Sequence, residues 1–301
     1  MDVAKLRQLA AIVKHRSFSK AADALGISQP ALSKIVKSLE RELGVPLFER
    51  GRFGAVATQY GQALARHADA VEAELRATQS EIDSLKVGAK GHVCIGCGPS
   101  EATRLLPKAL TRLKTEAPGI TVTVLYGLNE ALVPMVLHGE VDFALSSIPN
   151  AHPERDLKRV VLHEDSAVVV ARNGHPLLAQ KRPLTARHLI DQEWILARRN
   201  ELERRALDNL FIDAGLVPVE ATIETTSAIL MKTLVMQSDF LSFLPRDLIF
   251  WEERSGQLRP LTLLAPSWHR LVGITMRARA GATPAAEAVM STLRGAARDL
   301  R

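Results

Sequence analysis

The sequence predicts an α/β protein built in three consecutive segments. The first sixty residues hold short helical patterns separated by a glycine turn, and the next thirty hold one unbroken helical stripe. The remaining two thirds alternate strand-like with helix-like runs. A content of 47% hydrophobic and 24% charged residues is ordinary for a globular chain, and 301 residues suffice for two or three buried cores.

The first segment predicts three helices joined by a tight turn. Apolar residues recur at helical spacing over residues 2–15 and again over about 18–25. Gly26 is expected to end the second helix, because glycine adopts positive φ freely. Ser28 is then a suitable N-cap for a third helix that ends near Leu43.

The third helix separates into two faces on a helical wheel. The face expected to pack consists of Leu32, Ile35, Val36, Leu39 and Leu43. The opposite, small and basic face consists of Pro30, Ser33, Lys34, Lys37 and Arg41. Such a helix suits the DNA major groove, with its first residues at base edges and its later cations at phosphates. The predicted base contacts are Ser28, Gln29 and Ser33, and the other predicted DNA-binding residues of this helix are Pro30, Lys34 and Lys37.

Positive charge is concentrated in the same segment. The chain carries a net charge of +6, and residues 1–58 hold ten basic against five acidic residues, whereas the rest holds 29 against 28. Neutralisation of phosphates is the usual use of such an asymmetry, although a solvated basic face would explain the charge alone.

Residues 47–58, LFERGRFGAVAT, predict two short extended pieces around a glycine-bounded turn. A basic hairpin beside a helix-turn-helix is typical of a wing that touches the DNA backbone or minor groove. Arg50 and Arg52 are the expected contacts of this wing.

The run SFSKAADALGISQPALSKIVKSLERELGVPLFERGRFG resembles the winged helix-turn-helix of LysR-type transcriptional regulators. The matching elements are the SF…AA..L entry, the SQPALS core, LE.ELG and the PLFER wing. GAVATQYGQAL departs from the family's Leu-Thr-Pro-x-Gly ending, which leaves the shape of the wing open. The resemblance implies paired linker helices, tetramers made of two dimers, interrupted palindromic DNA sites, and a two-lobed type-2 periplasmic-binding-protein-like effector domain.

A single helix is predicted from Thr58 to about Lys86, since this stretch lacks proline. Its apolar stripe alternates steps of four and three residues: Leu64, Ala68, Val71, Leu75, Thr78, Ile82 and Leu85. Because this 3.5-residue period is the seam of a coiled coil, we expect a homodimer through this helix. Packing of the stripe on another part of the same chain is the alternative. Residues 87–91 are predicted to form a hinge.

The third segment predicts open, largely parallel sheets, with strands at HVCIGCG, ITVTVLYG, VDFALSS, SAVVVARN, ATIETT and DFLSFLP. Helices are expected near 100–116, 130–138, 200–214 and 226–236. We predict a DNA-binding domain over 1–58, a dimerisation linker over 59–91 and an effector-binding domain over 92–301. The resemblance divides the last into lobe I (92–163 and 267–301) and lobe II (164–266).

Open α/β sheets bind ligands at the carboxyl ends of their strands, where helices also begin. Ser100 and Thr103 follow the first strand and begin a helix, so their hydroxyls and the free backbone N–H groups there are candidate contacts of an anionic effector. The resemblance implies that this position contacts the effector, which is often a carboxylate. The other candidates at strand ends are Asn129, Ser146, Arg198 and Thr226. Simple helix capping would explain most of these residues equally well.

The sequence carries no recognised catalytic motif, so we expect no enzymatic activity, catalytic residue, cofactor or metal site. Cys94 and Cys97 form a lone CxxC, which favours a buried strand over a thiol sensor, with the two side chains facing opposite sides. No run of apolar residues is long enough to span a membrane, and the N-terminus lacks the hydrophobic region of a signal peptide. We therefore expect a cytoplasmic protein.

These features together predict a sequence-specific transcriptional regulator that binds double-stranded operator DNA, a small-molecule effector and a second copy of itself. A solute-binding protein whose basic head attaches to nucleic acid without sequence preference is the rival of a different class.

Overall fold

The computed structural model describes residues 2–51, 54–86, 91–149, 156–264, 268–278 and 281–300. The N-terminal segment is three helices followed by an antiparallel hairpin: α1 (Val3–His15), α2 (Phe18–Leu25), α3 (Gln29–Leu43), β1 (Phe48–Gly51) and β2 (Gly54–Ala57). The winged helix-turn-helix expected from the sequence is therefore confirmed.

Short polar side chains begin these helices as predicted. The Asp2 carboxylate accepts a hydrogen bond from the Ala4 N–H at 2.8 Å, and the hydroxyls of Ser17 and Ser28 cap α2 and α3. Gly26 ends α2 with a φ of 66°, a left-handed conformation that lets α3 leave across α2.

One face of α3 is buried against α1 and α2. Leu32, Val36 and Leu39 are at most 4% exposed. Leu43 is 40% exposed, so the prediction that it packs is wrong. The chain turns at Gly44 and brings Leu47 rather than Leu43 into the core beside Leu39.

The long helix α4 (Gln59–Lys86) is confirmed, and at 1.5 Å per residue it is about 42 Å long. Its predicted seam is divided. Leu64 and Ala68 pack within the same chain, mostly along α1. Leu75 and Ile82, further along, are 53% and 44% exposed. Intrachain packing therefore accounts for the first half of the seam and leaves Leu75 and Ile82 of the second half uncovered, whereas the side chain of Leu85 lies outside the described residues.

The remaining elements alternate strands and helices. The first group is β3 (His92–Cys97), α5 (Pro99–Thr103), α6 (Leu105–Glu116), β4 (Thr121–Tyr126), α7 (Asn129–Leu137) and β5 (Phe143–Ile148). The long β6 (Leu157–Arg172) leads to α8 (Ala186–Leu189), β7 (Ile195–Leu196), α9 (Leu202–Asp213), β8 (Ile223–Glu224), α10 (Ala228–Gln237), β9 (Ser242–Pro245), α11 (Phe250–Arg254) and β10 (Leu258–Pro260). The described chain ends with β11 (Trp268–Arg277) and α12 (Pro284–Arg298).

Two lobes with separate cores share one sheet. Its strand order is β10-β6-β11-β5-β3-β4, and β9 also pairs with β6. The first lobe packs β3, β5 and part of β6 and β11 against α6 and α12, whereas the second packs the rest of β6 against α9 and α10. The long strands β6 and β11 join the lobes.

The expectation of largely parallel sheets holds only in part. β3 pairs in parallel with β4 and β5, and β7 with β8. The pairs made by β6 with β9, β10 and β11, and by β11 with β5, are antiparallel. These exceptions follow from β6 and β11, which pass between the lobes without a crossover helix that would make them parallel.

The helix expected over 100–116 is broken at Arg104, whose φ of −129° is not helical. Pro107 explains the break, because it has no N–H to donate to the carbonyl of Thr103 four residues earlier. Nε1 of Trp251, in α11 of the second lobe, donates a hydrogen bond to that carbonyl at 3.3 Å. The break thus supplies a contact between the lobes.

The two cysteines face opposite sides of β3, as expected. Cys97 lies in the core below α6, and Cys94 packs on the other side near α7. Burial, followed by the nearby Glu101 carboxylate, raises the pKa of the Cys97 thiol far above its ordinary value. A thiol held in its protonated form is a poor nucleophile, which favours the structural interpretation of this pair.

Candidate functional site

The exposed end of α3 presents the residues predicted to read DNA. Ser28, Gln29 and Pro30 are exposed, and Ser33 lies half-buried one turn later. Nε2 of Gln29 donates a hydrogen bond to Oγ of Ser33 at 2.9 Å. This hydrogen bond fixes the relative orientation of two side chains that are predicted to contact bases.

Cations continue along the same face of α3. Lys34, Lys37 and Arg41 are exposed. They line a shallow groove between α3 and the start of the wing at Pro46. Oε1 of Glu40 accepts hydrogen bonds from the N–H groups of Leu47 and Phe48 at 2.8 and 3.4 Å. This carboxylate fixes the wing to the helix that it accompanies.

The wing is present, but its predicted contacts are only partly described. The backbone of Arg50 lies in β1, paired with Ala55 of β2. The side chain of Arg50 and the whole of Arg52 lie outside the described residues. Their contact with DNA stays a prediction.

A second concave site lies between the lobes, where β3, β5 and β9 end and α5, α7, α9 and α10 begin. It is a cavity of about 240 Å³. Its apolar wall includes Leu128, Met231, Phe243 and Leu248. Its charged lining consists of Glu101, Glu130, Glu201, Glu203, Arg205 and Arg270. The mixture of an apolar wall with convergent polar groups is typical of a small-molecule site.

Four of the six predicted effector contacts line this cavity: Ser100, Asn129, Ser146 and Thr226. Nδ2 of Asn129 donates to the carbonyl and the hydroxyl of Ser147 at 2.9 and 2.8 Å, which ties α7 to the end of β5. Two predicted contacts lie outside the lining. The Thr103 hydroxyl donates to the Pro99 carbonyl within α5, and Arg198 is exposed beyond β7.

Sequence reasoning missed the buried charges at the joint between the lobes. Arg270 on β11 pairs with Glu101 at 3.1 Å, Asp165 at 3.0 Å and Glu203 at 3.2 Å. Burial opposes its charge, yet these carboxylates hold the pKa of Arg270 above its ordinary value. Burial raises the pKa of Glu101 and of Asp165 against the opposing effect of Arg270. The only sequence signal was an isolated charge inside an apolar strand pattern.

A second buried cluster lies behind this one. Oδ1 of Asp247 accepts a hydrogen bond from Arg104 at 2.8 Å, and Oδ2 lies 3.0 Å from Nε2 of His163. Although burial opposes ionisation, the hydrogen bonds from His163 and Arg104 lower the pKa of Asp247. Arg104 belongs to the first lobe and Asp247 to the second, so this cluster also connects the lobes.

An exposed cationic helix-turn-helix joined to a two-lobed domain with a small-molecule cavity defines a DNA-binding regulator that carries its own ligand-binding domain. Residues 3–62 match the family model described as bacterial regulatory helix-turn-helix protein, lysR family, and residues 86–298 match the LysR substrate binding domain. The chain belongs to the LysR family of transcriptional regulators.

Curated relatives agree with this assignment. The HTH-type transcriptional regulator GbpR of Azospirillum brasilense is 33% identical over 81% of this chain and 72% of its own. The regulator GalR of Pseudomonas putida is 30% identical over 96% of this chain and 72% of its own. A variant of full-length OxyR from Pseudomonas aeruginosa shares the fold with a TM-score of 0.62 at 24% identity, covering 99% of this chain and 95% of that one. Among the described helices, none is both long and apolar enough to span a lipid bilayer.

Proposed function

We propose that this regulator is a homodimer that binds a specific operator with α3 and the wing of each protomer. We also propose that a small effector bound in the interlobe cavity controls this DNA binding. The division into a DNA-binding domain over 1–58, a linker over 59–91 and an effector domain over 92–301 belongs to the same proposal. We also propose that the protein acts by binding and not by catalysis, as its relatives are transcriptional regulators. Because the proposed partner is chromosomal operator DNA, we also propose a cytoplasmic location.

The observation that carries the DNA proposal is the composition of the exposed face of α3. Hydroxyl and amide groups lie at its N-terminus, and ammonium groups follow toward its C-terminus. Amide and hydroxyl groups distinguish base edges, whereas ammonium groups bind any phosphate. Specific and nonspecific contributions to binding are therefore expected from different residues.

Competition binding with selected operator fragments and scrambled DNA tests this division. Lys34→Ala should weaken binding to both DNAs alike and lower the salt slope by about one. Gln29→Ala should cost about 1–3 kcal/mol on the operator and relax preference at one base pair. Lys108→Ala removes a charge from α6, far along the chain from α3, and should change neither. Equal binding of the unaltered protein to operator and scrambled DNA would refute sequence-specific regulation.

The uncovered half of the α4 seam supports the homodimer. Leu75 and Ile82 lie seven residues apart on one stripe and are about half exposed in the single chain. A second α4 in a coiled coil would cover both side chains. Assembly of two dimers into a tetramer, implied by the family resemblance, would need further surfaces.

Sedimentation measures the proposed assembly directly. A Leu75→Glu, Ile82→Glu double variant should shift the protein to monomer, because two carboxylates would be desolvated in the seam. Val217→Glu places a charge on a side chain that is 78% exposed elsewhere and should leave the assembly intact. A double variant that sediments like the unaltered protein would exclude α4 as the dimer interface.

A further inference from the structure

We propose that the interlobe cavity selects a small effector that donates hydrogen bonds and carries no net negative charge, such as a polyhydroxyl or amino compound, rather than a carboxylate. This inference rests on the proposed effector role of the cavity. It reverses the carboxylate preference expected from the sequence, and four features of the lining support it.

The first feature is that the protein's own carboxylates already occupy three helix N-termini at the cavity, where an anionic ligand would otherwise bind. Glu101 lies in the first turn of α5, Glu130 in the first turn of α7, and Glu203 in the first turn of α9. A helix N-terminus carries partial positive charge, and these side chains already place a carboxylate there. The fourth helix start, that of α10, is capped by the hydroxyl of Ser227, which accepts from the Leu230 N–H.

The fit around α5 shows how closely its own carboxylate is held. A Cβ on Gly98 would collide with Oε2 of Glu101, so only glycine at this position allows that carboxylate to lie against the loop after β3. An effector carboxylate at the start of α5 would therefore lie beside an existing negative charge.

The second feature is the excess of carboxylates over cations in the lining, four Glu against two Arg. Arg270 is shared among three carboxylates and is 8% exposed. Arg205 is exposed on α9, and its charge opposes the rise in the pKa of Glu201. That pKa is nevertheless raised, by burial first and then by Glu130 and Glu203. Carboxylates therefore dominate the field at this wall of the cavity.

The third feature is a pair of serine hydroxyl groups that face the cavity. Ser100 and Ser146 are 3% and 4% exposed and line the cavity. Neither Oγ is one of the described buried side-chain atoms that lack a hydrogen-bond partner, and both hydroxyls open onto the cavity. A hydroxyl that opens onto the cavity can donate a hydrogen bond to a ligand or accept one from it, so these two groups suit a polar ligand.

The fourth feature is the position of the hydrogen-bond acceptors, which lie on both lobes around the cavity. Oε1 of Glu130 accepts a hydrogen bond from Nδ2 of Asn200, so that α7 of the first lobe meets the segment before α9 in the second. Carboxylate acceptors thus line both sides of the cavity, opposite an apolar wall that includes Met231 and Phe243. A compact compound with several donors and an aliphatic side fits both walls, and about 240 Å³ limits it to a small metabolite.

The proposed preference for uncharged or cationic effectors over carboxylates, here called the charge rule, is tested with matched sets of compounds. Within each set the compounds share one carbon skeleton. The probes are hexoses, the corresponding hexosamines and hexuronates, and glycerol with aminopropanediol and glycerate. Binding to the full-length protein is measured by calorimetry and by thermal unfolding. At least one alcohol or amine should bind about tenfold more tightly than its carboxylate, since a charge-assisted hydrogen bond would be replaced by repulsion. Tighter or equal binding of the carboxylates, or no binding by any probe, overturns the inference.

Charge removal in the cavity provides a second, independent measurement. Glu201→Gln and Glu130→Gln should each narrow the preference for the alcohol or amine over the carboxylate by about tenfold. Glu220→Gln is the matched control, because Glu220 pairs with Arg199 on the surface and is absent from the lining. An unchanged preference in both cavity variants overturns the inference.

The outcome is separable from that of the proposed function. DNA competition is measured without any probe, so loss of operator preference would refute the regulator and leave the charge rule standing. Carboxylate binding in a protein that still prefers its operator would refute only the charge rule.

Discussion

The exposed face of α3, which is proposed to read DNA, and the interlobe cavity are built in opposite ways. The former comes from one short stretch, residues 28–37, on a single helix with its charges in solvent. The latter is lined by residues from 98 to 270, and two of its charged residues, Glu101 and Arg270, are buried. A site on one helix needs only that helix to form, whereas the cavity exists only when both lobes and their connecting strands are in place.

The difference extends to how charge is held. The lysines of α3 are exposed and available to a phosphate. At the cavity, the buried charge of Arg270 is already paired with the carboxylates of Glu101, Asp165 and Glu203. We therefore expect removal of a lysine charge on α3 to affect binding, and removal of the Arg270 charge to affect folding.

The largest expected effect is from Arg270→Met. It leaves Glu101 and Asp165 buried without their cation, so the free energy of unfolding should fall by about 3–5 kcal/mol. Urea unfolding of the isolated variant measures this loss. Arg199→Met removes an exposed ion pair with Glu220 and should produce no measurable change. A loss of similar size in both variants would contradict the contrast between buried and exposed charge.

The loss in Arg270→Met should grow with pH. The pKa values of Glu101 and Asp165 are raised from their ordinary values of 4.5 and 3.8, so the folded protein binds their protons more readily than the unfolded chain. Their contribution to the free energy of unfolding is thus full below the ordinary values and declines as pH rises through the raised ones. Removing the opposing cation raises both values further, and unfolding at mildly acidic and mildly alkaline pH should show the increase.

A smaller effect is expected in the DNA-binding domain from Leu39→Ala. This side chain is fully buried among Leu9 and Leu47, so its truncation should cost about 2–5 kcal/mol of that domain's stability. Leu43→Ala, one turn further along α3, removes the same atoms from a side chain that is 40% exposed and should cost far less. Hydrogen exchange resolves the two domains, and comparable losses at both positions would contradict the observed burial.

The smallest effect concerns the contact between the linker helix α4 and the end of α7 in the first lobe. Nε2 of His138 lies 3.2 Å from Oδ2 of Asp69 on α4, and this hydrogen bond raises the pKa of His138. The pair therefore stabilises the contact at low pH and loses this contribution as pH rises through the raised pKa. Asp69→Asn should abolish the pH dependence of the protection factors in α7 near neutral pH, that is, of exchange rates corrected for the intrinsic rate at each pH. A dependence that survives the substitution would exclude this pair as its source.

Sequence reasoning succeeded where the deciding interactions are local. The caps at Asp2 and Ser28, the turn at Gly26 and the bounds of α3 depend on neighbours within four residues. It failed at Leu43, because the burial of that side chain depends on where the chain travels after Gly44. It also gave no reason to expect β11 to pair with both β5 and β6, since such pairing joins distant parts of the chain.

The sequence by itself determined the three-part architecture, the polar and basic face of α3 and the family. These depend on helical periodicity, caps and short motifs, whose physical cause lies within a few residues. Only the tertiary structure decided that Glu101, Asp165 and Glu203 share Arg270, that Ser100 and Ser146 lie buried in one cavity, and that half of the α4 seam is uncovered. Burial and charge pairing are properties of groups brought together across more than a hundred residues, and no local pattern encodes which ones will meet.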